Sequence, residues 1–230
     1  QYGWASVPVV SALVVGALMA LGLSIAARHG RRLFSRGLFG NAATLPALGG
    51  MLGIAAVAGG LRYVLPFYLE IACGLSVLSS SYFLLAYPLG YAPASVVAGR
   101  MADRLGSRRI VLAATACCAL LCAAFAVTSG FDAAKAALVY MLAFGAATGL
   151  YFAPANRLIM NAMPKDLRGE AGGALSVIFN FGTLLGVALF EALMTWHADG
   201  GLNVGASFAA GAILAALAAL LTLRITPDEG

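Results

Sequence analysis

The sequence predicts an all-α integral membrane protein with seven transmembrane helices, and three observations carry this prediction. Of the 230 residues, 62% are hydrophobic and 10% are charged, whereas an ordinary soluble domain has about 25% charged residues. The mean hydropathy is +0.93. Seven apolar runs follow one another, each close to the roughly 20 residues that a helix needs to cross a bilayer. These values exclude a soluble globular protein and a disordered chain.

The seven apolar runs account for most of the chain. They lie at Val7–Ala27, Ala42–Leu65, Val77–Ala98, Ile110–Val127, Ala136–Pro154, Ala174–Leu193 and Val204–Leu223. None alternates with the period of two that is typical of a barrel strand. A helix satisfies its own backbone hydrogen bonds in lipid, so each run is predicted to be one helix. Pro88 and Pro93 are expected to kink the third helix, and Pro154 is expected to end the fifth.

The basic residues fall almost entirely on one side of the predicted membrane. Twelve of the 14 lysines and arginines lie after the first, third, fifth or seventh run, and Arg62 and Lys135 are the other two. Cytoplasmic connectors carry an excess of Lys and Arg, so the N terminus is predicted outside and the C terminus in the cytoplasm. The abundance of Arg and Ala favours a GC-rich bacterial genome, hence the inner membrane. This topological role leaves no basic surface for a nucleic-acid partner.

The four cysteines predict neither a metal site nor a cofactor. Cys117, Cys118 and Cys122 share one apolar run with no histidine nearby, and the chain has no C-x-x-C motif. We expect them to pack as small buried hydrophobic residues. An enzyme acting within the membrane would need a metal or a nucleophile at membrane depth. No H-E-x-x-H, no G-x-S-x-G and no paired aspartates occur, so the sequence predicts no enzyme.

Three pairs of glycines have the spacing that lets helix backbones approach closely. They are Gly49 with Gly53, Gly145 with Gly149, and Gly182 with Gly186. One interpretation is static helix packing, and the other is a smooth surface along which helices rock. The spacing is compatible with both interpretations.

The connector between the third and fourth runs carries a motif. It reads G-x-x-x-D-R-x-G-x-R-R, formed by Gly99, Asp103, Arg104, Gly106, Arg108 and Arg109. Glycines permit a tight turn, and the single carboxylate among four arginines predicts a local ion-pair network. Asp103 is expected at the start of the fourth helix, where it would complement the helix dipole. This motif resembles the cytoplasmic signature loop of the major facilitator superfamily.

The resemblance implies a particular place in that fold. In the family this loop joins the second and third helices of a six-helix half, so runs two to seven resemble one such half. The extra first run resembles a linker helix of the 14-helix drug:proton antiporters. The implied domains are a linker helix with a basic connector at residues 1–40 and a six-helix C-terminal transporter domain at 41–230. The first six-helix half would be missing from this chain.

The resemblance also implies a function and its partners. It implies proton-coupled efflux of drugs or other small organic molecules across a lipid bilayer, by a protein completed with the missing half. The motif cannot separate efflux from a solute uptake symporter of the same superfamily. A truncated membrane subunit that does not transport is a further alternative.

Polar and aromatic groups within the runs are the candidate transport residues. Arg62 and Glu191 are placed near the outer ends of their helices, and they either reach the interface or act as a gate pair or proton carrier. We expect a gate contact for Glu191, because a principal carrier should lie nearer the midplane. Candidate residues of the substrate path are Tyr87, Tyr151, Asn156 and Asn180. Asn180 is alternatively a hydrogen-bond partner for a neighbouring helix.

Overall fold

The computed structural model describes residues 44–128, 133–161, 168–195 and 203–224, all within one compact unit, Leu38–Gly230. Every regular element in these ranges is helical, which confirms the all-α fold. The elements are α1 Thr44–Phe67, continued by a π-helix at Tyr68–Ala72, then α2 Val77–Leu84, α3 Ala86–Leu105, α4 Ser107–Thr128, α5 Ala133–Asn161, α6 Arg168–Thr195 and α7 Val204–Leu223. The predicted first run and the predicted domain at 1–40 lie outside the described residues.

Five helical segments of the described ranges are long and apolar enough to cross a membrane. They are Leu45–Ala72, Ser107–Val127, Ala136–Asn161, Arg168–Thr195 and Val204–Leu223. Their outward surfaces expose large apolar side chains such as Leu184, Ile213 and Leu220. An apolar surface of this extent suits lipid rather than water, so the fold is that of a multi-pass membrane protein.

The third predicted run is divided into two helices. The break falls at Leu85, between α2 and α3, whereas the prediction was one kinked helix. Pro88 lies directly after the break and has no N–H to donate to the carbonyl of Leu84. Leu85 keeps helical dihedral angles, φ −64° and ψ −21°, so the chain bends without reversing. Pro93 lies inside α3 without a break.

The prediction that Pro154 ends the fifth helix is wrong. The structure continues α5 through Pro154 to Asn161. A proline removes one N–H donor, and membrane helices tolerate that loss where neighbouring helices pack against the free carbonyl. Likewise α1 contains Pro66 and continues as a π-helix, with the N–H of Cys73 bonded to the carbonyl of Tyr68.

The helices form an open ring. In space α3 packs on α5, α5 on α4, α4 on α7, α7 on α1 and α1 on α6. The two ends of this series, α3 and α6, do not pack on each other in the described structure. Helices α1 and α5 lie behind the opening between them. A cleft is therefore left along one side of the bundle.

Glycines set the closest helix contacts, as their spacing predicts. A Cβ atom at Gly145 would overlap the carbonyl oxygen of Tyr87 in α3, and one at Gly186 would overlap that of Ala56 in α1. Such backbone contact requires residues without a side chain. The glycine pairs of α5 and α6 therefore hold the two helices that border the cleft against their neighbours.

The core of the bundle lies beside the cleft. Phe125, Tyr140 and Phe208 form a ring cluster, with centroids 4.3 to 5.4 Å apart. Cys118 and Cys122 are buried there, as predicted, whereas Cys117 is exposed.

Candidate functional site

The cleft between α3 and α6 contains two adjoining cavities. The central cavity measures about 520 Å³ and the second about 440 Å³, and both are lined by Tyr91, Phe152 and Phe179. We name the second the basic-end cavity, because it opens towards the end of the bundle where Arg157 and Arg168 lie. Volumes of this size are typical of sites for small organic ligands.

The central cavity lies around the middle of the membrane-spanning helices. Phe179 and Thr183 are at the middle of α6, and Met141 and Phe152 flank the middle of α5. Four helices contribute to its wall: α1, α3, α5 and α6, with the last turns of α2. Transport sites are found at this depth, where access from either side can alternate.

Tyr87 is fixed in the wall of the central cavity. Its hydroxyl lies 3.0 Å from Oγ1 of Thr148, which in turn lies 2.9 Å from the carbonyl oxygen of Phe144. Thr148 has one hydroxyl proton and donates it to that carbonyl, so Tyr87 is the donor in the first bond. The ring of Tyr87 also stacks on Tyr91, with centroids 6.1 Å apart. This predicted substrate-path residue therefore has a defined orientation.

Arg62 projects into the central cavity. Its guanidinium carbon lies 5.7 Å from the centre of the Tyr87 ring, which is the geometry of a cation–π contact. The spanning helix continues about 15 Å beyond Arg62 to Ala72, at 1.5 Å per residue. Arg62 is therefore not at the end of its own helix, and it contacts the cavity wall.

Glu191 lies elsewhere in the bundle. It is in the last turns of α6, as its sequence position predicted, and it interacts with the hydroxyl of Tyr63 in α1. Helices α1 and α6 do touch, but Arg62 and Glu191 form no ion pair with each other in the described structure. The predicted gate pair is thus not closed here.

The two asparagines predicted for the substrate path come together. Asn156 of α5 and Asn180 of α6 both line the basic-end cavity. The side-chain amide of Asn180 donates to the carbonyl of Ser176 in its own helix, at 2.8 Å. Asn180 thus lines a cavity and donates to its own helix, and its place on a substrate path stays a prediction.

Tyr151 has a packing position. It is 1% exposed, lines neither cavity and lies with its hydroxyl against Gly50 of α1. Tyr87 and Tyr91 are also tyrosines but line the central cavity, whereas the side chain of Tyr151 points towards α1 and away from the cavity.

The G-x-x-x-D-R-x-G-x-R-R motif is mostly helical. Helix α3 continues to Leu105 and α4 begins at Ser107, so Gly106 alone joins them. Gly106 has φ +84°, a conformation that side-chain-bearing residues rarely adopt. Gly99 lies inside α3, and a Cβ there would meet nothing within 4 Å. The tight turn that the glycines permit is therefore formed at Gly106 and not at Gly99.

Asp103 pairs across helices. It lies in the last turn of α3, not at the start of the fourth helix as predicted, and its carboxylate forms an ion pair with Arg157 of α5. Helix α3 continues through the charged residues of the motif to Leu105. These residues are exposed at the end of the helix, so they do not interrupt it. In the described structure the predicted local network is thus replaced by one ion pair with a neighbouring helix.

Arg108 reaches the end of α7. Its Nη2 donates to the carbonyl oxygen of Leu223 at 2.9 Å. The last carbonyls of a helix lack partners within it and carry partial negative charge, so a cation is stabilising there. Arg104 and Arg109 are exposed. The motif therefore holds the ends of α3, α4, α5 and α7 together.

Comparison with known proteins agrees with this arrangement. The family model described as Major Facilitator Superfamily matches residues 51–230. The chain belongs to the major facilitator superfamily. It is thus a protein of a transporter family, not an enzyme.

Named relatives of this major facilitator chain are transporters or drug-resistance proteins. Riboflavin transporter RibZ of Clostridioides difficile is 26% identical over 63% of this chain and 32% of its own length. MdtD of Klebsiella pneumoniae, named as a candidate multidrug resistance protein, is 24% identical over 96% of this chain and 50% of its own length. YebQ of Escherichia coli, an uncharacterized transporter, is 30% identical over 70% of this chain and 35% of its own length. The chain spans half or less of each relative.

Sequence reasoning missed several cavity residues of this major facilitator chain. Phe152, Phe179 and Thr183 line the central cavity, and Thr148 fixes Tyr87. The four-residue spacing of Phe179 and Thr183, like that of Tyr87 and Tyr91, places each pair on one helix face. That spacing was a usable signal, but it does not tell which face borders a cleft.

Proposed function

We propose that this chain is the C-terminal part of a secondary active transporter that exports drugs or other small organic molecules in exchange for protons. The observation that carries the proposal is the central cavity, which is lined mainly by aromatic and aliphatic residues and lies at the middle of the spanning helices. Aromatic clefts of this size suit organic ligands. The names of RibZ and MdtD, which refer to an aromatic vitamin and to drugs, support the same substrate class.

The open side of the ring is the proposed contact with a first half. Helices α3 and α6 border a cleft that has one wall in this chain. Two halves that rock around a shared central site would provide the second wall and alternate the access. On this proposal residues 41–230 are one half, residues 1–40 are a linker helix, and this chain alone does not transport.

The proposed orientation places the basic end in the cytoplasm of a bacterial inner membrane. Arg104, Arg109, Arg157, Arg168 and Arg224 lie at this end of the described helices. Such an excess of positive charge favours the cytoplasmic side.

Proton coupling is assigned to the first half. No carboxylate lines either cavity of the described structure, and Glu191 interacts with Tyr63 outside them. A carrier must titrate with access to both sides in turn, which favours a carboxylate facing the shared site.

The sign of the coupling tests the proposal. Everted membrane vesicles containing the complete protein that includes this chain are given probes of three charges, neutral riboflavin, cationic ethidium and anionic 2-naphthalenesulfonate. An antiporter accumulates the probe when the vesicle lumen is acidic, and nigericin abolishes the accumulation. Accumulation with an alkaline lumen instead would make the protein a symporter. The absence of uptake under either gradient would support the non-transporting subunit.

A further inference from the structure

The positive charge of Arg62 has no carboxylate partner within the described part of the chain. The guanidinium offers five N–H donors, and the contact that the structure gives it is the face of Tyr87. A charged side chain within a spanning segment is costly and is usually retained for function. The central cavity therefore presents an uncompensated cation at its edge.

Three of the four hydroxyl groups that line the central cavity donate within the protein in their present arrangement. The hydroxyl of Ser81 donates to the carbonyl of Val77 at 2.8 Å, and that of Thr183 donates to the carbonyl of Phe179 at 2.9 Å. Tyr87 donates to Thr148. These three protons are thus used inside the protein, which leaves the neutral hydroxyl of Tyr91 and the charged guanidinium of Arg62 as donors for a ligand.

The apolar part of the cavity suits a flat ring. Phe152 and Phe179 meet edge to face, with centroids 5.2 Å apart, and Tyr87 stacks on Tyr91. These two pairs provide ring faces and edges on opposite helices of the cleft. A volume of about 520 Å³ accommodates an organic molecule of two or three fused rings.

We propose that the central cavity binds aromatic organic anions, and that Arg62 selects them over neutral and cationic molecules of the same shape. The inference rests on the proposed transport function only for the fate of the ligand, since the residues to which it assigns binding all belong to the wall that this chain provides. Arg62 makes charge-assisted hydrogen bonds to a carboxylate or sulfonate, and the rings of Tyr91, Phe152 and Phe179 pack on the aromatic part. A cation in the same place meets the charge of Arg62, and the described part of this chain contributes no carboxylate to the cavity wall that would offset it.

A series of probes with one ring system and three charges tests the inference. 2-Naphthalenesulfonate, 2-naphthalenesulfonamide and 2-naphthylmethylammonium are compared by equilibrium dialysis with naphthalene fluorescence. The complete protein is held in phosphatidylcholine nanodiscs, and empty nanodiscs give the background. We expect the sulfonate to bind most tightly and the ammonium most weakly. Equal or tighter binding of the ammonium overturns the inference without any variant.

Substitution of Arg62 assigns the selectivity to that residue. Arg62→Gln is expected to weaken sulfonate binding about ten- to hundredfold, the range for a charge-assisted hydrogen bond, and to leave the sulfonamide unchanged. Arg62→Lys keeps the order of the three probes, which guards against misfolding as the cause. Arg168→Gln, the same change at an exposed arginine outside both cavities, leaves all three affinities unchanged. Sulfonate selectivity that survives in Arg62→Gln overturns the inference.

The experiments distinguish failure of the anion-site inference from failure of the proposed transport function. If the sulfonate binds with this selectivity but no probe crosses the membrane, the anion site stands and the transport function falls. If transport is seen without preference for the anion, the transport function stands and the anion site falls.

Discussion

The carboxylate of Asp103 in the last turn of α3 is paired with the guanidinium of Arg157 near the end of α5. These two helices run in parallel and touch through backbone at Gly145, so the ion pair fastens their ends below the cleft. The side chains are 62% and 49% exposed, and exposed pairs of this kind contribute roughly 0–1 kcal/mol. We therefore expect the pair to matter for movement of the helices more than for folding.

Asp103→Asn tests this expectation. In the complete protein the change should lower the transport rate several-fold, because one conformation of the cycle loses its ion pair, while substrate affinity stays within about twofold. The rate is measured as initial probe efflux and the affinity by dialysis. An unchanged transport rate would reduce the motif to a topology signal.

Exchange of the two charges is the control. The double variant Asp103→Arg with Arg157→Asp restores an ion pair in the reverse direction, so it should recover part of the lost rate. If either single variant and the exchange variant are equally slow, the individual residues matter and their pairing does not.

The close contact of α6 with α1 depends on Gly186. Its Cβ would overlap the carbonyl oxygen of Ala56, so Gly186→Ala should separate the helices at a cost of about 1–3 kcal/mol. Gly173→Ala in the same helix is the matched control, because a Cβ there meets nothing within 4 Å. Thermal unfolding in detergent compares the two. Equal loss of stability would contradict the helix packing.

Glu191 is expected to tune a gate contact rather than carry the coupling proton. Its described partner is Tyr63, and it lines neither cavity. Glu191→Gln should therefore leave proton-driven efflux in place with an altered rate or apparent affinity. Loss of proton-driven efflux with intact binding and exchange would make Glu191 the carrier. Tyr63→Phe removes the hydroxyl near Glu191, so it should also alter the rate or apparent affinity while proton-driven efflux remains.

The orientation of the bundle has its own test. In a background without the native cysteines, Arg109→Cys and Ser76→Cys place single thiols at exposed positions on opposite ends of α2–α4. An impermeant maleimide added to whole cells should label position 76 and spare position 109. Labelling of position 109 from outside would reverse the orientation.

Most of the fold was predictable from composition, and the exceptions have physical causes. The last run was predicted at Val204–Leu223, where α7 lies, because hydropathy alone defines a span. The end of α5 was predicted at Pro154, but the helix continues to Asn161. The free energy that a proline costs a helix depends on the neighbouring helices, which the sequence does not reveal. Asp103 was predicted at the start of the fourth helix, but α3 continues through Asp103 to Leu105. A charged residue does not end a helix that reaches the membrane surface.

The candidate site was predictable in part. Residue type identified Arg62, Tyr87, Asn156 and Asn180, because polar and aromatic groups stand out in apolar helices, and all four line a cavity. Residue type also suggested Tyr151, which packs inside the bundle. The face of a helix that borders the cleft depends on which helices are its neighbours in space. That arrangement exists only in the folded bundle, so residue type did not reveal it.

Chemical modification within the central cavity is the most direct test of whether substrate passes through the cleft between α3 and α6. Thr183 lines that cavity, whereas its neighbour Leu184 is 68% exposed and lines neither cavity. Thr183→Cys and Leu184→Cys, each in the complete protein without native cysteines, are treated with N-ethylmaleimide before efflux is measured with a probe that the unmodified protein transports. We expect the reagent to stop efflux through Thr183→Cys, excess probe to protect that variant from the reagent, and Leu184→Cys to keep its efflux. Full efflux through alkylated Thr183→Cys would contradict a substrate path through this cleft.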